Sequence, residues 1–169
     1  MNTQSSRHDE IIANYGKCPS QLEAALSKLP ASNLDIGESA ESWTIREIVH
    51  HIADGDDLWK SFIKQAIGYS DGEFFFNWYW QAPQDEWVIN WNYEARSIEP
   101  SLAMFRANRT HIVQLVRHTP GSMEKRLRVR WPTEVGEQAV SVASVLEGQT
   151  HHVFEHIAEI GRIREAHGV

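Results

Sequence analysis

From Ile45 to Ile67 the apolar residues Ile45, Ile48, Val49, Ile52, Trp59, Phe62, Ile63 and Ile67 recur mostly at spacings of three and four. Only an α-helix gathers that spacing onto one face. A helix of this length with one apolar stripe must bury it against other elements, so the chain is committed to helix packing. The start of the segment is also written in the sequence. Thr44 and Glu47 are spaced for a capping box, and Trp43 and Ile48 flank the cap as a hydrophobic staple. Gly68 and the Asp71-Gly72 turn mark its end.

Three more segments carry the same period. The first runs from about Arg7 to Leu29 with Ile12, Tyr15, Leu22, Leu26 and Leu29 on its stripe; Pro19 is expected to kink or split it, and Pro30 stops it. The third runs from Glu99 to His118 with Leu102, Phe105, Arg109, Ile112 and Val116 inward, and admits Pro100 in its first turn. The fourth starts near Ser141 or Ser144, the latter a possible capping-box partner of Glu147, and carries Val142, Val145, Leu146, Val153, Ile157, Ile160 and Ile163. Gly148 within it suggests close packing of a neighbour. No segment makes a convincing sheet, although Leu127–Trp131 could form a short extended piece ended by Pro132. The expectation is an all-α fold, one domain over residues 1–169.

Two connections are long. Within the first, residues 69–96, the stretch 74–93 holds nine of the chain's 17 aromatic side chains, Phe74, Phe75, Phe76, Trp78, Tyr79, Trp80, Trp87, Trp91 and Tyr93. So much apolar area is expected to pack over one end of the helices as core, or to serve as a pocket wall, lid or subunit interface. Residues 119–140 include the basic run Lys125–Arg130, read as a solvated face.

Charge narrows the function. The net charge is −7, which is not the electrostatic footprint of a nucleic-acid binder. No apolar run reaches the ~20 residues that span a bilayer, and the N-terminal residues lack a signal core. Cys18 is the only cysteine, so no internal disulfide can form. It is read as a small buried hydrophobe, and a cytoplasmic location is expected.

The residues able to do chemistry are histidines. His152 and His156 are four apart on the fourth segment, so both imidazoles point to one side and can share a metal ion. They continue the inward stripe of Val145, Gln149, Ile160 and Ile163. Polar groups there must find partners, either hydrogen bonds or a metal. A third ligand would come from another helix, and His51 lies at the edge of the second segment's inward stripe. Gly55, one turn on, leaves space beside it. His50 points about 100° away and is expected at the surface. Asp54 is either a surface carboxylate or a residue orienting a ligand, Glu155 a flank of the pair, and His111 a bundle-edge or pocket residue. These residues point to one divalent ion.

The stretches Trp43-Thr-Ile-Arg-Glu-Ile-Val-His-His-Ile-Ala-Asp54, Trp87 through Tyr93, and His152-Val-Phe-Glu-His-Ile-Ala-Glu-Ile160 together resemble the DinB-like (YfiT-like) family of small helical metalloenzymes. The resemblance covers residues 7–165. It implies a four-helix bundle, up-down-down-up, with a long crossover between helices two and three. It also implies a zinc, nickel or similar ion on His51, His152 and His156 with water completing the site, and a homodimer. Relatives act as metal-dependent transferases or isomerases using low-molecular-weight thiols. The expected activity is therefore thiol transfer to a small electrophile, with hydrolysis or non-catalytic metal binding as alternatives.

Overall fold

A computed structural model describes residues 3–131 and 136–169. Pro132, the expected end of the extended piece, and the side chain of Trp80 lie outside the described residues. The described helices are α1 (Thr3–Ala25), α2 (Ile45–Gly68), α3 (Asn77–Gln81), α4 (Gln84–Asn90), α5 (Ile98–His118) and α6 (Val142–His167). The four long ones, α1, α2, α5 and α6, are the four periodic segments of the sequence.

Local signals fix where they begin. At Thr44 both bonds of the capping box form: the Glu47 amide donates to Thr44 Oγ1 at 3.3 Å, and the Thr44 amide donates to Glu47 Oε2 at 2.7 Å. The cap of α6 is Ser141, not Ser144, because Ser141 Oγ accepts from the Ser144 amide at 3.1 Å. Pro19 neither splits nor ends α1. Proline has no N–H, so the Tyr15 carbonyl four residues back lacks its helical donor. Arg109 Nη1 donates to that carbonyl instead, at 3.4 Å.

Contacts between helices set their directions. Arg7 meets Glu147 while Arg164 reaches the Ala25 carbonyl, so α1 and α6 run parallel. His50 meets Ser101 and Asp56 meets Arg109, so α2 and α5 run parallel. Glu23 pairs with Arg106 and Tyr15 with Arg109, so α1 and α5 are antiparallel. His51 faces His152 while Trp59 shares a groove with Val145, which makes α2 and α6 antiparallel. The bundle is thus up-down-down-up, as the resemblance implied.

The expectation of no sheet is corrected. Three strands, β1 (Glu73–Phe74), β2 (Arg126–Arg130) and β3 (Glu137–Ser141), form a small sheet, β1 parallel and β3 antiparallel to the central β2. Leu127 and Val129 are buried and alternate with outward arginines, of which Arg128 and Arg130 pair with Glu137. The basic run is therefore the solvated face of the central strand.

The core has two halves. One gathers Tyr15, Trp59, Phe62, Ile112, Leu127, Val129 and Leu146 beneath the sheet and the crossover; the other gathers Leu22, Ile45, Ile48, Ile52, Phe105, Val153 and Ile160. Of the crossover aromatics, Phe74, Phe76, Tyr79, Trp87 and Tyr93 are buried and supply core, whereas Phe75 and Trp78 stay 74% and 47% exposed. Gly148 is also corrected: a Cβ there would meet nothing within 4 Å, so no neighbour packs tightly on it. None of the described helices is long and apolar enough to cross a membrane.

Candidate metal centre

The site lies where α2 and α6 face each other, beside the half of the core that holds Ile48, Ile52, Val153 and Ile160. His51 is 2% exposed; His152 and His156 are half-buried. His51 Nε2 lies 3.0 Å from His152 Nε2, and His156 Nε2 lies 3.2 Å from the same atom. The three candidate ligand atoms fall within 4.8 Å of one another. Nitrogens held tetrahedrally at ~2.0–2.1 Å from a zinc ion would sit about 3.3 Å apart, so the spacing suits an ion of that size.

Proton accounting shows why hydrogen bonding alone explains the trio poorly. His156 Nδ1 lies 2.9 Å from Glu159 Oε2. A carboxylate can only accept, so His156 donates from Nδ1 and turns inward Nε2, the nitrogen left to coordinate. His152 Nε2 faces two nitrogens and can supply one hydrogen between them. At most one of these contacts is then a well-directed hydrogen bond. Three inward-facing nitrogens with more lone pairs than hydrogens suit a shared cation.

Burial prepares the same state. It pushes His51 down to about 2, with the neighbouring His152 and His156 adding to the effect. It pushes His152 down to about 4, assisted by His156 and then Arg109. Both rings are neutral at physiological pH, the form that coordinates metals.

The surroundings hold the trio in place. The Trp43 ring stacks on His156 at 6.1 Å between centroids with 14° between planes, and tilts against His51 at 4.6 Å. Its Nε1 donates to Asp85 Oδ1 of α4 at 2.8 Å, tying this wall to the aromatic crossover. Beside the trio, Arg109 Nε lies 2.7 Å from Asp56 Oδ1, with both side chains 1% exposed. The guanidinium stacks on Tyr15 at 3.7 Å and donates to the Gln149 carbonyl at 3.2 Å. Gln149 is one turn before His152 and Asp56 just over one turn after His51, so this clasp, reaching in from α5, ties α2 to α6 about one turn from the ligand atoms. Burial raises the Asp56 carboxyl to about 6, against the opposing pull of Arg109.

The trio expected from the sequence is brought together, but its neighbours are redistributed. His50, expected at the surface, is fully buried, because α2 is flanked by α5 as well as α6. Its Nε2 lies 3.3 Å from the Arg96 carbonyl and must donate, so its Nδ1 accepts from the Ser101 hydroxyl at 2.8 Å. With both nitrogens engaged it is no ligand. Glu155 is exposed and pairs with His151 at 3.2 Å. His111 is exposed on α5. Asp54 lies 3.7 Å from Arg96 and makes no bond to the trio. Cys18 is buried, its thiol 3.4 Å from the Asn14 carbonyl. The sequence reading missed Glu159, which three-residue helical spacing from His156 could have found, and the Asp56 partner of Arg109, which no local signal marks.

The profile described as the DinB superfamily matches residues 15–160, most of the chain, so the chain belongs to that superfamily. No curated protein matches it. Among solved structures it is similar to YfiT from Bacillus subtilis, described as a probable metal-dependent hydrolase with an unusual four-helix bundle topology. The TM-score is 0.80 over 99% of this chain and 90% of that one, at 19% identity, a likeness of fold.

Proposed function

We propose that this member of the DinB superfamily is a divalent-metal-dependent hydrolase of a small molecule, with His51, His152 and His156 as the protein ligands. The observation that carries the reading is the convergence of three Nε2 atoms at 3.0 and 3.2 Å with at most one directed hydrogen bond among them. When bound, an ion with three neutral ligands keeps its full charge and favours the ionised form of water or thiol beside it. The residues do the rest. Glu159 fixes the tautomer and orientation of His156, the role carboxylates commonly play behind metal-binding histidines. Trp43 walls off one side and keeps the rings from turning. The half-exposure of His152 and His156 leaves the side away from His51 open to a substrate.

Transfer of a low-molecular-weight thiol is the second reading, brought by the sequence resemblance. Cys18 is buried and engaged, so a thiol nucleophile would have to arrive from solution. Incubating zinc-, nickel- and manganese-loaded protein with ester and amide substrates, then with small thiols and a chlorinated aromatic electrophile, separates the two. Metal-dependent hydrolysis lost in His152→Ala supports the first reading. Conjugation without hydrolysis replaces it with the second, and no turnover leaves a metal-binding bundle without catalysis. A homodimer completes the proposal; sedimentation equilibrium giving a mass near 19.4 kDa at micromolar concentration would refute it.

A further inference from the structure

A groove of about 340 Å³ opens between α2, α6 and the sheet, with Trp59, Trp131, Val140, Val145, Gly148 and Gln149 among its lining residues. Its size falls in the range of small-molecule sites. The Trp59 and Trp131 rings lie 6.4 Å apart, with 31° between their planes, and form an aromatic side. At Gly148 a Cβ would meet nothing within 4 Å, so the groove is open over the α6 backbone.

Its position relative to the histidines follows from helical register. On α2, His51, Gly55 and Trp59 recur every four residues and share one side. On α6, Gln149 is three before His152, and Gly148 four before it, also on one side. The two helices are antiparallel, so passing from His51 to Trp59 along α2 means passing from His152 toward Val145 along α6. At 1.5 Å rise per residue, Trp59 lies about 12 Å along the helix from His51. Gly55 lies between them, and a Cβ there too would touch nothing within 4 Å. The histidine trio and the aromatic groove are thus two stations on one seam, with Gly55 of α2 between them.

We propose that this groove binds the flat, apolar, aromatic part of the substrate, an aryl ester or aryl amide whose hydrolysable bond lies at the histidine end. The proposal rests on the hydrolase reading for the reaction but not for the binding. Two indoles line the groove where a planar ring would sit, and Gln149, at the histidine end, is a polar residue near the scissile group. An alkyl ester as small as methyl acetate cannot reach from the trio to the tryptophans and gains nothing from them.

The test measures binding first and turnover second. Calorimetric titration of the full-length protein with 2-naphthol reads the groove whether or not the protein catalyses anything. Saturable binding, weakened at least tenfold in Gly148→Leu and kept in Gly148→Ala, is expected, with the metal content of both variants unchanged. If Gly148→Leu does not fold, Val140→Phe, which fills the groove from the sheet, takes its place. If esters turn over, naphthyl acetate should exceed methyl acetate in kcat/KM, and the preference should collapse in the same variant. Absence of naphthol binding to the wild-type protein, or equal binding by the filled variant, overturns the groove. Naphthol binding without any ester hydrolysis upholds the groove and sinks only the hydrolase reading.

Discussion

Two polar clusters sit side by side between α2 and α6, and they are built on opposite rules. In one, Asp56 and Arg109 neutralise each other at 2.7 Å, fully buried, with Tyr15 and the Gln149 carbonyl taking up further contacts. In the other, three histidines turn like atoms toward one another at 3.0 and 3.2 Å with one hydrogen to share. The first cluster is electrically closed and ties four helices together. The second is incomplete unless something positive enters. A polar cluster whose charges compensate each other holds a fold, while one that leaves converging lone pairs unsatisfied beside solvent is a place for a ligand.

The comparison breaks first at the closed cluster. Removing one member strands a buried charge, so Arg109→Met or Asp56→Ala should cost about 3–5 kcal/mol of stability. Urea unfolding of the metal-free protein measures it. A loss below ~1 kcal/mol would mean that the clasp is not what holds α2 against α6.

At the open cluster the next effect is on affinity. Glu159→Gln can no longer accept the His156 Nδ1 proton as an anion, and loss of such a supporting partner lowers metal affinity by about 10- to 100-fold. Titration with zinc under chelator competition reads it. Glu155→Gln, which alters only an exposed pair with His151, should leave affinity unchanged. If the two substitutions had equal effects, Glu159 would have no special role.

Acid should separate the clusters further. His51 and His152 are held at about 2 and about 4, both below the ~6.5 of free imidazole. A lowered folded pKa contributes stability that is present above the unfolded value and lost as pH falls through the folded one. The metal-free protein should therefore lose stability progressively from pH ~6.5 toward 4, as the unfolded chain takes up protons that the folded one refuses. In His152→Ala the slope should be shallower, read from urea midpoints at pH 7 and pH 5. An identical slope would contradict the assigned cause.

Smallest is the effect of filling the open glycine. Gly148→Ala should stabilise by up to about 1 kcal/mol, since helix propensity improves and the new methyl meets nothing. Destabilisation would mean that a neighbour sits closer than the open groove allows.

How far the sequence reached differs between these regions. The trio was legible because its geometry is mostly local: a four-residue spacing fixes His152 against His156, and a stripe edge places His51. The clasp was half legible, since Arg109 stood on an inward stripe but nothing near it named Asp56 as its partner. His50 was misread because α2 has two buried flanks, and a residue 100° from the inward stripe faces α5 rather than water. The sheet was missed for a related reason. Its pairings join residues far apart in the chain, and the central strand offers only Leu127 and Val129 as a period-two signal. Pro19 was overread, because tertiary structure supplied the Tyr15 carbonyl with a donor that no local rule could foresee.

The central claim is that the histidine trio exists to hold an ion, and element analysis of untagged protein tests it most directly. Wild-type protein, purified without chelator, should carry about one divalent ion per chain, and His51→Ala should carry almost none while His50→Ala, which loses contacts to Ser101, Arg96 and Tyr93 but none to the trio, retains it. Full occupancy in His51→Ala, or wild-type protein that neither carries an ion nor takes up zinc or nickel on titration, would contradict the account.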